Sequence, residues 1–319
     1  MHTSSIARSQ ATRCRLLPVL AGLMVTLSTQ AREWKSSDGK TIEADYVSST
    51  ADSVTVKLNG KEVKLPFSRL SKEDVAWVTE QKKPAPGAAP STKAKPLDAT
   101  YAPLITGEWA LSKFKNLPFA LYAAKDLDLS KTYPLILALH GKSSNDENGK
   151  QVGDWMQAFT KPDVYTKHPS IIVAPLCYQP FGGTGGGWSD KPGTEAVAMV
   201  KDMLKLLPID KKRVYIIGHS MGGFGTCQLI ANEPRLFTAG IPMCGCTADA
   251  GNLRKTPLWV FHAADDAVVK PDTARALAKA LDHSKTFKYT EYKDGGHGIP
   301  GRVVADAEVI EWLFAQAGK

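Results

Sequence analysis

Residues 213–234 read RVYIIGHSMGGFGTCQLIANEP, and no other stretch constrains the fold as much. An apolar run rich in Val, Ile and Tyr has the signature of a buried strand. It passes through a Gly-rich hexapeptide, with no loop, into a segment of helical character that stops before Pro234. A strand that turns straight into a helix must pack that helix back on its own sheet, which implies a layered α/β arrangement. Ser220 stands at the centre of the turn, with Gly218 and Gly222 two residues away on either side. So sharp a turn strains the central residue and needs small neighbours. It also lifts the serine hydroxyl clear of the sheet and leaves the Met221 N–H at a helix N-terminus. Ser220 is therefore the candidate nucleophile, and the Met221 N–H a candidate oxyanion donor.

The rest of residues 100–319 repeats this alternation. TYPLILALH, SIIVAP, RVYIIG, TPLWVF and FKYTEY read as strands, and VAMVKDMLKLL and PDTARALAKAL as helices between them. That pattern predicts a mostly parallel sheet with helices on both faces. Val303, Ala307, Ile310 and Phe314 fall on one face of a last helix. A different texture precedes this region. Residues 32–80 alternate with period two, placing Ile42, Ala44 and Tyr46, then Val54, Val56 and Leu58, then Val63, Leu65 and Phe67 on shared faces. Asp38-Gly39 and Asn59-Gly60 fall where hairpin turns would join them, and Ser71 with Asp74 opens a short helix. A small SH3-like β domain is expected there. Residues 81–99 begin QKKPAPGAAPSTKAKPL, a solvated semi-stiff linker composition.

A serine needs a base within hydrogen-bond reach and a third group to orient it. In a strand–elbow–helix architecture the chain order is Ser, acid, His. His297, in the loop DGGHGIPG just after the FKYTEY strand, is the candidate base; His283 lies before that strand, at the wrong end of the sheet. The acid is expected just beyond TPLWVF, at Asp265 or Asp266. A second oxyanion N–H is expected after LILALHG, from Lys142, with Ser143 as the alternative. His140, His219 and His262 read as structural. Trp188 ends the glycine-rich run FGGTGGGW and has two readings, a platform for a sugar or aromatic acyl group or a pin for its loop. No Lys-Ser/Thr follows those glycines, so they do not form a phosphate loop. Trp155 reads as core.

Arg8, Arg13 and Arg15 precede the apolar run Leu16–Leu27, and Ala31 closes a small-residue site. Residues 1–31 thus read as a signal peptide, implying a secreted or periplasmic product with no stable membrane span after cleavage. The net charge of +8 partly resides in this segment and the linker, and no basic stripe with stacking aromatics marks a nucleic-acid binder. Cys177, Cys227, Cys244 and Cys246 would remain after cleavage, room for one or two disulfides. Cys244-x-Cys246 has no partner pair at zinc spacing, so neither a metal nor a cofactor is expected.

The runs IDKKRVYIIGHSMGGFGTCQLIANEPRLFTAGIPMCG, TPLWVFHAADDAVVKPDTAR and YKDGGHG resemble the α/β-hydrolase branch of polyhydroxybutyrate-depolymerase-like and feruloyl-type esterases, a pattern shared with predicted prolyl-oligopeptidase-like peptidases. The resemblance implies an α/β-hydrolase fold and a Ser-His-Asp triad. It selects Asp266, four places after the strand-ending His262. Two departures stand out: the oxyanion loop reads HGKS where the family often has His-Gly-x-Gly, and the usual Pro after the acid comes late, at Pro271. Residues 32–80, with REWKSSDGKTIEADYVSS and RLSKEDVAWV, resemble the Sla homology domain type 1, which implies peptide or polymer binding at most. Three readings follow: a carboxylic-ester hydrolase acting on accessible, polymeric esters among others; a serine peptidase; and a binding protein built on an inactive hydrolase scaffold. The first is favoured, because an exported, compact serine hydrolase without a propeller domain suits accessible esters; the filled catalytic positions count against the binding protein, and no long insertion suggests a large lid.

Overall fold

The structure is a computed structural model that describes residues 32–50, 53–81, 97–142, 147–179, 181–182, 185–247 and 249–318. The expected signal peptide, most of the linker and Ser143 lie outside these residues. The chain divides into two compact units, residues 1–89 and 90–319.

The first unit is a four-stranded antiparallel sheet in the order β1-β2-β3-β4: Arg32–Lys35, Thr41–Ser49, Ser53–Leu58 and Lys61–Pro66. Asn59 and Gly60 both have positive φ, 49° and 81°, the backbone that a two-residue hairpin requires. Alternation then works as read: Trp34, Ala44, Val54 and Val56 form the core with Leu70 and Val78, and the Trp34 indole N–H donates to the Ala44 carbonyl at 2.9 Å. Helix α1 (Lys72–Gln81) closes the sheet, its start capped by Ser71 Oγ, which accepts from the Asp74 N–H at 3.1 Å.

The second unit carries an eight-stranded sheet in the order β14-β13-β12-β11-β7-β8-β6-β5. Its strands are β5 (Ala110–Phe114), β6 (Leu117–Tyr122), β7 (Tyr133–Leu139), β8 (Ile171–Pro175), β11 (Ile209–His219), β12 (Ala239–Met243), β13 (Leu258–Ala263) and β14 (Phe287–Tyr292). From β14 across to β8 every pairing is parallel; β6 runs antiparallel to both of its neighbours. A minimal hairpin, β9 (Phe181–Gly182) with β10 (Gly185–Gly186), lies outside this sheet. The strand β12 was not read as one: AGIPM is short and its Gly and Pro argue against a strand, yet all five residues are buried between β11 and β13.

Alternate residues of the central strands feed two cores. On one face Leu135, Leu137, Val214, Ile216 and Val260 meet α4 (Lys191–Leu206), α5 (Met221–Asn232) and α6 (Asp272–Ala280). On the other, Ile136, Ile172, Tyr215, Ile217 and Phe261 meet α7 (Pro300–Ala305) and α8 (Ala307–Ala315). Two one-turn helices, α2 (Asp154–Gln157) and α3 (Pro162–Tyr165), carry Trp155 and Val164 to that second face. The expected single C-terminal helix is two helices. Asp306 leaves the helical conformation (φ −81°, ψ 114°) and its carboxylate accepts from the Glu308 N–H at 2.9 Å, an N-cap that starts α8. Ala307 is consequently exposed, while Val303 and Ile310 are buried.

Candidate active site

The C-terminal ends of β7, β11, β13 and β14 converge, and loops from all four build the site. At the end of β11, Ser220 adopts φ 54° and ψ −118°, a strained backbone for a non-glycine residue. The turn tolerates no extra atoms around it. A Cβ at Gly218 would lie 2.0 Å from the Gly222 carbonyl oxygen, and one at Gly222 would lie 2.0 Å from that of Leu139. Neighbouring strands hold the turn in place: the Ser220 N–H donates to the Met243 carbonyl at 2.8 Å.

His297 arrives on the loop after β14. Its Nε2 lies 2.8 Å from Ser220 Oγ, and its Nδ1 lies 2.7 Å from Asp266 Oδ2. Asp266 is fully buried at the end of β13, and its Oδ1 accepts two backbone N–H bonds, from Val268 and Val269, each at 2.9 Å. Burial alone would push its carboxyl pKa up. The hydrogen bonds from His297, Val269 and Val268 outweigh that and hold it below the usual carboxylate range, so the group is an anion. With Asp266 accepting at Nδ1–H, the His297 Nε2 lone pair faces the serine hydroxyl. The neighbouring Asp265 is exposed and bonds elsewhere, its Oδ1 accepting from the Gly296 N–H at 2.8 Å.

The loop after β7, expected to supply an oxyanion donor, lies beside Ser220. Gly141 lies against the nucleophile: a Cβ added there would come 3.3 Å from the Ser220 Cβ. Lys142 follows, with its side chain exposed, and Met221 is buried at the first position of α5. Neither N–H is taken by a hydrogen bond among the described residues. His140 braces this loop. It is nearly buried, its Nδ1–H donates to the Gly141 carbonyl at 2.6 Å, and its Nε2 accepts from the Cys177 N–H at 2.9 Å. Burial pushes its pKa down to about 4, so it stays neutral and keeps both bonds.

Trp188 requires a correction. A substrate platform needs an open ring face, and this ring is 1% exposed. Its indole N–H donates to the His140 carbonyl at 3.0 Å, its edge meets the His140 ring at 5.2 Å, and its Cβ presses on Gly225 of α5. It pins the loop rather than meeting substrate. Trp155 is half-buried against the second core, as read.

His219 and His262 brace the remaining loops. His219 Nε2–H donates to the His297 carbonyl at 2.8 Å, and His262 Nε2–H donates to the Val269 carbonyl at 2.9 Å. Composition and motif spacing alone carried no sign of these contacts. The described cysteines Cys177, Cys227, Cys244 and Cys246 are buried free thiols, with no disulfide among them. Two overlapping groups have ligand atoms within 4.8 Å of one another, His219–Cys244–His297 and Cys244–His262–Asp266. Both draw on the serine-linked hydrogen-bond chain, which already employs His297 and Asp266. A cleft of about 580 Å³ between α2–α3 and α7–α8 touches none of Ser220, Asp266 or His297.

Residues 186–251, which span the elbow, match the prolyl oligopeptidase family. A bifunctional acetylxylan esterase/xylanase of Neocallimastix patriciarum is 25% identical over 191 residues, 58% of this chain and 26% of that protein. Feruloyl esterase B of Thermothelomyces thermophilus is 24% identical over 243 residues, 63% of this chain and 82% of its own. A crystal structure of a thermostable esterase superposes with a TM-score of 0.59 at 32% identity, covering 67% of this chain and 64% of that one. The chain thus spans about a quarter of the length of the first of these relatives. Sheet order and these likenesses together give the second unit an α/β-hydrolase fold.

Proposed function

We propose that the chain is an exported serine hydrolase that cleaves carboxylic esters through an acyl-enzyme. The observation that carries this reading is the continuous chain Ser220 Oγ–His297 Nε2 at 2.8 Å and His297 Nδ1–Asp266 Oδ2 at 2.7 Å, set on a strained elbow. Ser220 Oγ attacks the ester carbonyl while His297 Nε2 takes its proton, and Asp266 stabilises the resulting imidazolium. The carbonyl oxygen, now an anion, is met by the Met221 and Lys142 N–H groups; one such donor is worth about 3–4 kcal/mol in the transition state. The tetrahedral adduct collapses as His297 returns the proton to the leaving alcohol. Water, deprotonated by His297, then releases the acid and restores Ser220.

Relatives named for acetylxylan and feruloyl esters favour esters over amides, and polysaccharide-linked or polyester substrates within that class. The match to the prolyl oligopeptidase family supports the second reading, a serine peptidase. The N-terminal unit is an SH3-like module that binds a peptide or polymer; its cleft of about 470 Å³, lined by Ser36, Asp38, Lys40, Arg69 and the edge of Trp34, is the place for that ligand. Residues 1–31 direct export.

The test is hydrolysis of p-nitrophenyl acetate and butyrate, acetylated xylan, a feruloylated arabinoxylan and a chromogenic peptide amide, by wild type and Ser220→Ala. Ester turnover lost in the variant supports the reading. Amide turnover alone supports the peptidase, and turnover that survives in Ser220→Ala removes the nucleophile. Failure of a fluorophosphonate to label Ser220 in wild type would leave only a binding protein.

A further inference from the structure

The loop that carries His297 is poorly suited to hold a catalytic base. Residues 293–299 read KDGGHGI, and Gly295 and Gly296 have φ of 120° and 55°. Glycines lose the most backbone freedom on ordering, about 1–2 kcal/mol for each residue fixed. The imidazole itself is tied to Ser220 and Asp266, but the bond to Ser220 cannot hold the loop through a turnover. Once the serine is acylated, Oγ has no proton to share and Nε2 must turn to the leaving group and then to water. The Asp266 bond to Nδ1 remains but fixes only the ring, so any hold on the loop itself acts on its main chain.

Two side chains do so. His219 Nε2–H donates to the His297 carbonyl at 2.8 Å, and Asp265 Oδ1 accepts from the Gly296 N–H at 2.8 Å. The two grips fall on either side of the His297 Cα and so restrict the main chain from which the imidazole projects. Their chain positions are informative: His219 is bonded directly to Ser220, and Asp265 directly to Asp266. We propose that His219 and Asp265 are positioning residues, each the chain neighbour of a triad member, that clamp the main chain of the His297 loop and so keep the base aligned after the serine bond is broken. This rests on the proposed function, because it assigns a role within that triad.

The choice of groups fits the task. A carbonyl accepts only, so its partner must donate, and His219 does so without carrying charge. Burial holds the His219 pKa at about 4, well below the range for a free imidazole. The rings of His219 and His297 are 4.8 Å apart between centroids, so a permanent cation at 219 would oppose formation of the His297 imidazolium. Asp265 is exposed, and its carboxylate accepts from a main-chain N–H, a task that needs an acceptor rather than a donor.

The experiment compares His219→Phe, which keeps a ring but no donor, with His219→Gln, which keeps an N–H at similar reach. It likewise compares Asp265→Ala with Asp265→Asn, which keeps the acceptor oxygen. Active sites are counted by fluorophosphonate titration, and kcat per labelled site and KM are read on p-nitrophenyl butyrate. A displacement of the base by about 1 Å costs roughly a hundredfold. We expect kcat per labelled site to fall between about tenfold and a hundredfold in His219→Phe and Asp265→Ala with KM within about twofold, and to stay within about threefold of wild type in His219→Gln and Asp265→Asn. A purely structural role would lower the number of labelled sites and the Tm while leaving kcat per site unchanged, and that result overturns the proposal. So does a loss in His219→Gln as deep as in His219→Phe. Should His219→Phe not fold, the exposed Asp265 pair decides by the same criteria. Turnover surviving in Ser220→Ala overturns the proposed function and this assignment with it; normal kcat in Asp265→Ala and His219→Phe overturns this assignment alone.

Discussion

His140 makes the hydrolase unit acid-sensitive in a way that one substitution removes. The ring is 4% exposed, and its two bonds are possible only for the neutral tautomer protonated at Nδ1, since Nε2 must accept from the Cys177 N–H. Burial lowers its pKa from 6.5 to about 4, whereas in the unfolded chain it returns to about 6.5. Between those values the unfolded state holds the extra proton, so stability rises with pH there and is lost as pH falls. The full difference, at about 1.4 kcal/mol for each tenfold change in proton affinity, is about 3 kcal/mol, most of it already lost by pH 4.5. His140→Gln offers an amide N–H to Gly141 and a carbonyl to Cys177 but does not titrate. Urea unfolding followed by tryptophan fluorescence at pH 7.5 and 4.5 measures the loss for each protein. His219 and the carboxylates titrate in both, so the difference of differences isolates residue 140. Wild type should lose about 2–3 kcal/mol more than His140→Gln. Equal losses would refute the claim that the brace depends on a neutral buried imidazole.

Asp266→Asn should leave the fold intact and lower kcat by about 10⁴, because an amide N–H facing Nδ1 turns the imidazole to the wrong tautomer; kcat per labelled site is the measurement. Gly222→Ala drives a methyl carbon to within 2.0 Å of the Leu139 backbone oxygen, and neither partner can swing aside. Fluorophosphonate labelling of Ser220 should fall at least about a hundredfold. Trp188→Phe removes the donor to the buried His140 carbonyl and should cost about 1–3 kcal/mol in urea unfolding, with KM for p-nitrophenyl butyrate unchanged. A large rise in KM would restore Trp188 to the substrate.

What was legible in the sequence was what local chemistry dictates. The elbow is a contiguous segment, and its glycines, strand and helix all lie within about twenty residues, so Ser220 could be read without knowing where anything else folds. His297 followed from the direction of its strand. The choice between Asp265 and Asp266 was open to the residues alone and came from resemblance; the structure brings Asp266 to the imidazole and turns Asp265 to Gly296. The residues alone leave Trp188 between platform and pin because its partner, the His140 carbonyl, is 48 residues away, and Gly225, which makes room for its Cβ, carries no mark of that purpose in the sequence. The break at Asp306 was masked by an apolar periodicity that continues across it, although an Asp ahead of Ala-Glu is a capping signal that could have been weighed. Short β12 was hidden by its own glycine and proline, whose costs are overridden once β11 and β13 supply partners on both sides.

Three of the histidines outside the proposed triad share one logic. His140 directly follows β7, His219 ends β11 and His262 lies near the end of β13. Each stands at or beside a strand end, and each sends its ring to a backbone atom of a loop: Gly141 and Cys177, His297, and Val269. Parallel strands fix the spacing of their C-terminal ends to that of the sheet, but the loops beyond them are free to drift. Burial keeps His140 and His219 neutral, and a neutral imidazole is suited to stopping that drift in a crowded, dry place. It spans about the right distance, offers a donor and an acceptor, and brings no charge that would compete with the one that must appear on His297. A lysine would add that charge, and an amide would lack the ring that packs against Trp188 or His297. Precision at the proposed site would therefore come from residues one to four positions away from the chemistry, braced from the strands that carry it.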